Sequence, residues 1–88
     1  MTQIYRYEVP VDDRWHAHDL SGRVLHVDCR KLDVVEFWAL ASSGPPGIRY
    51  FRVFGTGQTI PGHAVYHGTA DYGLFVWHLF ETNDPKDN

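Results

Sequence analysis

The chain has 88 residues, a single cysteine (Cys29) and a formal net charge of -3. That is one domain's worth of chain. A lone thiol excludes an internal disulfide framework, and the acidic balance argues against a general nucleic-acid binder, which needs a basic face.

Segment 4–9 alternates Tyr5, Tyr7 and Val9 against Ile4, Arg6 and Glu8. This is a strand pattern with its aromatic side toward a core, and Pro10 restricts it to an edge or ends it. Its polar residues make it neither a signal peptide nor a membrane helix, so a cytoplasmic protein is expected. Segment 14–20 follows, with His16 and His18 on one face and Trp15 and Ala17 on the other. Ser21 and Gly22 mark a turn. Segment 23–29 sets Leu25, Val27 and Cys29 inward and Val24, His26 and Asp28 outward. Segment 34–41 is apolar on both faces, as in a central or covered strand.

The run Ser42-Ser43-Gly44-Pro45-Pro46-Gly47 is the strongest break and is expected to be a hairpin loop. Segment 48–54 resumes the alternation, with Arg49, Phe51 and Val53 opposed to Ile48, Tyr50, Arg52 and Phe54. Two more strands are expected over 64–69 and 74–80, separated by a turn at Asp71-Tyr72-Gly73. The expectation is all-β: a single domain over 1–81 of about seven short antiparallel strands, forming a sandwich, a partly open barrel or a strongly bent sheet. A polar tail over 82–88 should be disordered.

Thirteen residues are aromatic: five Tyr, five Phe and three Trp. Each can bury about 150–250 Å², more in total than so small a core should enclose. Some are therefore expected to lie half-exposed, line a groove or meet another chain. Charge is also unevenly spread. No acid occurs between Phe37 and Ala70, a stretch that contains Arg49 and Arg52.

Chemical candidates are few. His16-x-His18 on a strand places two imidazoles on one face, and His26, Asp28 or Asp19 would be a third ligand, yet two solvent-facing histidines is the simpler reading, and no metal or other cofactor is expected. Gly55-Thr56-Gly57 resembles a phosphate-cradling turn but has no helix or lysine behind it. With Arg52 it makes the alternative site, for a small ligand such as a nucleotide. Cys29 falls on the inward phase of its strand and reads as core. With no nucleophile–base pair in view, no enzymatic activity is expected.

Four strings carry a family resemblance: Ile4-Tyr5-Arg6-Tyr7-Glu8-Val9-Pro10-Val11, Phe51-Arg52-Val53-Phe54-Gly55-Thr56-Gly57 with Ile60-Pro61, Tyr66-His67-Gly68-Thr69, and Val76-Trp77-His78-Leu79-Phe80-Glu81. In these the chain resembles a family of small uncharacterised proteins encoded by bacteriophages, prophages and some bacteria. The resemblance implies a phage accessory protein acting in the cytoplasm of an infected bacterium, and it assigns no activity or site residue. The surplus aromatics point to protein–protein interaction: self-association as a homodimer, binding of a host protein, or both. No nucleic-acid or membrane partner is expected. Trp38, Tyr50 and Arg52 are the residues expected at the contact, since aromatic and Arg side chains are the usual anchors of interfaces.

Overall fold

The computed structural model describes residues 2–41 and 44–85. Seven strands follow in order: β1 (Gln3–Pro10), β2 (His16–Leu20), β3 (Val24–Lys31), β4 (Val34–Ala41), β5 (Gly47–Gly55), β6 (Val65–Tyr72) and β7 (Phe75–Thr82). No described residue is helical. The strands form two sheets, one ordered β1-β4-β3 and the other β2-β5-β7-β6. Every pairing is antiparallel. The fold is all-β, and the two sheets stack as an open sandwich rather than closing into a barrel.

Alternation explains the stacking. In β4, Val35, Phe37 and Ala39 are buried in the core, so Glu36 and Trp38 point to the other side of their sheet. In β5, Phe51 and Val53 enter the same core from the opposite sheet. Phe37 and Phe51 stack with ring centroids 4.5 Å apart, and Tyr7 stacks on Phe37 at 5.0 Å. These three rings form a column through the middle of the sandwich. His18 meets all three edge-on, at 5.5–5.9 Å. Its Nε2 lies 3.0 Å from the Glu8 carbonyl oxygen, which ties β2 of one sheet to β1 of the other.

Four expectations need correction. The loop at 42–47 does not make a hairpin, because β4 and β5 belong to different sheets. The chain crosses there so that Phe37 and Phe51 face each other instead of lying side by side; Ser42 and Ser43 themselves fall outside the described residues. In β3 the inward phase is broken by a register shift between Val24 and His26. Val24 therefore packs on the core while Leu25 is exposed, the reverse of the regular alternation. Tyr5 is exposed too, since the core does not reach the start of β1. Finally, β7 runs on through Thr82, into the segment expected to be a disordered tail. Thr82 is buried, with its hydroxyl against His63 Nδ1 at 2.9 Å and the Asp84 backbone at 3.1 Å. Residues 86–88 of that segment are outside the described residues.

The turn at Tyr72-Gly73-Leu74 joins β6 to β7 with Gly73 in the left-handed region at φ 62°, a conformation glycine adopts without steric cost. The β6–β7 hairpin it closes has an apolar end. Leu74 is 99% exposed, and Tyr72, Phe75 and Val76 beside it are exposed as well.

Candidate functional site

The outer face of the four-stranded sheet carries a second apolar cluster, separate from the core. Register places Arg52 of β5 opposite Phe80 of β7, and Phe80 opposite Tyr66 of β6. Trp15, just before β2, closes the row on the other side, with the Arg52 Cζ 6.0 Å from its ring centroid. Phe54 lies beneath. Its ring is 5.9 Å from Trp15 and 5.4 Å from Phe80, both edge-on, and the Arg52 Cζ stands 4.5 Å above it. Phe54 is thereby only 1% exposed, although it points away from the core. A cation over a ring at this distance is attracted by about 0.5–2 kcal/mol.

A chain of hydrogen bonds runs beside this cluster. The Tyr66 hydroxyl is 2.6 Å from Thr69 Oγ1, Thr69 Oγ1 is 2.9 Å from His78 Nδ1, and His78 Nε2 is 2.8 Å from Thr56 Oγ1. One imidazole nitrogen donates and the other accepts, so both hydroxyls are satisfied in either tautomer. His78 faces outward and is held between two threonines.

Arg52 stands apart from the other partly buried arginine. Arg49 donates through Nε and Nη2 to the two carboxylate oxygens of Glu81, and through Nη1 to the Gly22 carbonyl. Arg52 has no hydrogen bond and no ion pair among the described residues, and its Nε is buried without an acceptor. Trp15 Nε1, on the same patch, is in the same condition.

The structure brings only some of the sequence candidates together. Tyr50 and Arg52 share the outer face of the four-stranded sheet, as the alternation of β5 predicts. Trp38 lies on the outer face of the other sheet, across the full thickness of the sandwich. There Arg30 lies over it at 5.5 Å and His26 packs against it at 5.6 Å. The turn Gly55-Thr56-Gly57 has Gly57 at φ 95°. It borders an open groove of about 420 Å³ with Leu74, Phe75, Val76 and Trp77. Arg52 is not part of that groove. His16, His18 and His26 are not gathered either: His16 pairs with Asp12 at 2.8 Å, His18 is packed in the core, and His26 belongs to the other sheet. No cluster of metal-ligating side chains occurs among the described residues.

Two carboxylates missed by sequence reasoning organise the remaining charge. Glu36 is fully buried on the outer side of β4. It accepts hydrogen bonds from Arg30 at 2.7 and 3.0 Å and from Arg6 at 2.6 Å. Arg30 first, and then Arg6, hold its pKa down to about 2 against the opposing effect of burial. Glu81 sits at the rim of the core. Burial there would raise its pKa, yet the hydrogen bonds from His67 and Arg49 prevail and hold it down to about 2. The signal for Glu36 was a single acid within the apolar run of β4; nothing in the sequence joins Glu81 to Arg49.

A family model described as Domain of unknown function (DUF7352) matches residues 1–88. No curated protein and no solved structure matches the chain.

Proposed function

The chain belongs to the DUF7352 family, and we propose that it is a non-enzymatic accessory protein that works by protein–protein interaction, first of all with a second copy of itself. The observation that carries this reading is the β6–β7 hairpin. Its end presents Tyr72, Leu74, Phe75 and Val76 together, with Leu74 fully in solvent. A concentrated apolar surface of this kind is the usual mark of an interaction site.

The strand at that hairpin's free side supports a second copy as occupant. The four-stranded sheet ends in β6, an eight-residue strand whose one acid is Asp71. The other edges are blunted against strand addition. β2 has five residues; β1 carries Arg6 and Glu8 and ends in Pro10; β3 is broken by two register shifts and carries Asp28, Arg30 and Lys31. A symmetric dimer through β6 and the hairpin end would cover Tyr72 and Phe75. On the strength of the sequence resemblance, the setting we propose is a bacterium infected by a phage, in its cytoplasm, with a host protein as a further partner.

Light scattering on the eluting protein tests the reading. The expected result is a mass near twice 10.1 kDa that falls to the monomer value in Leu74→Asp and in Phe75→Glu. A monomer at all concentrations, or a dimer untouched by both changes, overturns it.

A further inference from the structure

We infer that Arg52 and the rings around it form a binding site for a small planar anion, with a carboxylate or phosphate group on the guanidinium and a flat ring against Tyr66 and Phe80. This does not depend on self-association, and the site lies on a sheet face rather than at the hairpin end.

Two donors on this face have unmet hydrogen-bonding capacity. Arginine and tryptophan side chains are donors only. Buried donors are nearly always paired, so each exception calls for an explanation such as a missing ion or ligand. Here two of them, Arg52 Nε and Trp15 Nε1, occur on one patch. The two terminal nitrogens of Arg52 are neither sealed nor hydrogen-bonded among the described residues, which leaves them open to an incoming group. Nε and the indole N–H are themselves sealed, so an incoming group meets the terminal nitrogens, and the best acceptor for a guanidinium is an anion with two oxygens in a plane.

Among the described residues no carboxylate pairs with Arg52. The strands of this face carry the carboxylates Asp19 and Asp71, and Asp13, two residues before Trp15, accepts from Gln58 Nε2 at 3.2 Å instead of from Arg52. Asp19 pairs with Ile48, and Asp71 with Val76. Each pairing lies four residues along its strand from the Arg52–Phe80 pair, about 13 Å by strand rise. At physiological salt that exceeds the screening length of about 8 Å. The other titratable groups on the face are Tyr50, Tyr66 and His78, and none of them contacts Arg52 by hydrogen bond.

The rings specify the rest of the ligand. Tyr66 is 54% exposed but not loose: its ring packs on Phe80 at 5.5 Å and its hydroxyl is fixed by Thr69. A fixed, half-exposed ring one strand beyond an open guanidinium gives a flat ligand a surface to lie on while its charge reaches Arg52.

Nuclear magnetic resonance titration with phenyl phosphate and with benzoate tests this, because the Trp15 indole N–H resonance reports from within the patch. At least one of the two is expected to bind and to move that resonance, and the stronger identifies the charged group. Inorganic phosphate and benzyl alcohol, which each hold one part only, are expected to bind at least tenfold more weakly. Arg52→Gln is expected to weaken binding at least tenfold. Tyr66→Ser, at an exposed position, is expected to weaken it about fivefold with the fold intact. The inference is overturned if neither probe moves the Trp15 resonance, or if a well-folded Arg52→Gln protein binds as the parent does.

Discussion

Gly68 and Val27 bring β6 and β3 into direct contact across the sandwich: a Cβ on Gly68 would stand 2.7 Å from a Val27 methyl carbon and 2.9 Å from its Cβ. Gly68 follows the register shift in β6, and Val27 is a buried residue of β3 in the facing sheet. The missing side chain is what lets β3 lie against β6. Gly68→Ala forces the sheets apart or Val27 out of its rotamer, and should cost about 1–3 kcal/mol, as overpacking does. Urea denaturation measures this. Gly62→Ala, where nothing lies within 4 Å of the added Cβ, serves as control and should stay within about 0.5 kcal/mol of the parent. Equal losses in both proteins would contradict the close approach.

The ring column is the largest single element of the core. Phe51 is fully buried between Phe37 and the lid made by Arg49, at 5.7 Å, and His67, at 5.8 Å. Phe51→Ala should cost about 3–5 kcal/mol, a large share of what a domain of this size has to lose. Calorimetry should show no cooperative transition at 37 °C or above. Phe51→Leu should retain one.

Acid should unfold the protein through Glu36 and Glu81. Both have folded pKa values of about 2, below the ordinary carboxylate value of 4.5. A depressed carboxylate stabilises the fold fully above its unfolded pKa, and the contribution is lost as pH falls through the folded one. Stability should therefore be flat from neutral pH to about 4.5 and decline between about 4.5 and 2. Glu36→Gln should be less stable than the parent at pH 7 by about 1–3 kcal/mol, because charge-assisted hydrogen bonds from Arg30 and Arg6 are lost. Near pH 2 and below the two proteins should converge. A parent with no acid-induced loss down to pH 2 would remove both carboxylates from the account.

Cys29 should resist thiol reagents in the native state. It is buried in the core; burial pushes its pKa up, and its Sγ lies 3.3 Å from the carbonyl oxygens of Lys31 and Val34. Reaction with a disulfide reagent should follow the rate of opening of the β3 edge, and go to completion at once in denaturant. Immediate stoichiometric labelling of the folded protein would show that this edge is open.

Most of the strand content was legible because period-2 alternation is a local property. β5 could be read residue by residue: Phe51 and Val53 in, Tyr50 and Arg52 out. What composition does not contain is which strands become neighbours. A Gly-Pro-rich break looks the same whether the next strand pairs with the last one or crosses to face it, so the β4–β5 connection was misread. Bulges are equally silent, and one of them exchanged the roles of Val24 and Leu25. The candidate site fails to appear in sequence for the same reason. Arg52, Phe80, Tyr66 and Trp15 come from four strands or their flanks, and only the order β2-β5-β7-β6 sets them in a row. Trp38, a plausible companion by residue type, ends on the far side because β4 belongs to the other sheet.

The position of β7 has a consequence for how the chain is made. β7 hydrogen-bonds to β5 on one side and β6 on the other. Until it has been synthesised, β5 and β6 have no common partner, and the inner faces carrying Phe51 and Ala70 have an incomplete sheet to support them. The three-stranded sheet of β1, β4 and β3 is complete by Ala41, yet without its opposite layer it has nothing to bury Phe37 against. The four-stranded sheet of this protein therefore cannot close before β7 has been made. The interval before then, more than the finished structure, is where chaperones or proteases would meet the chain.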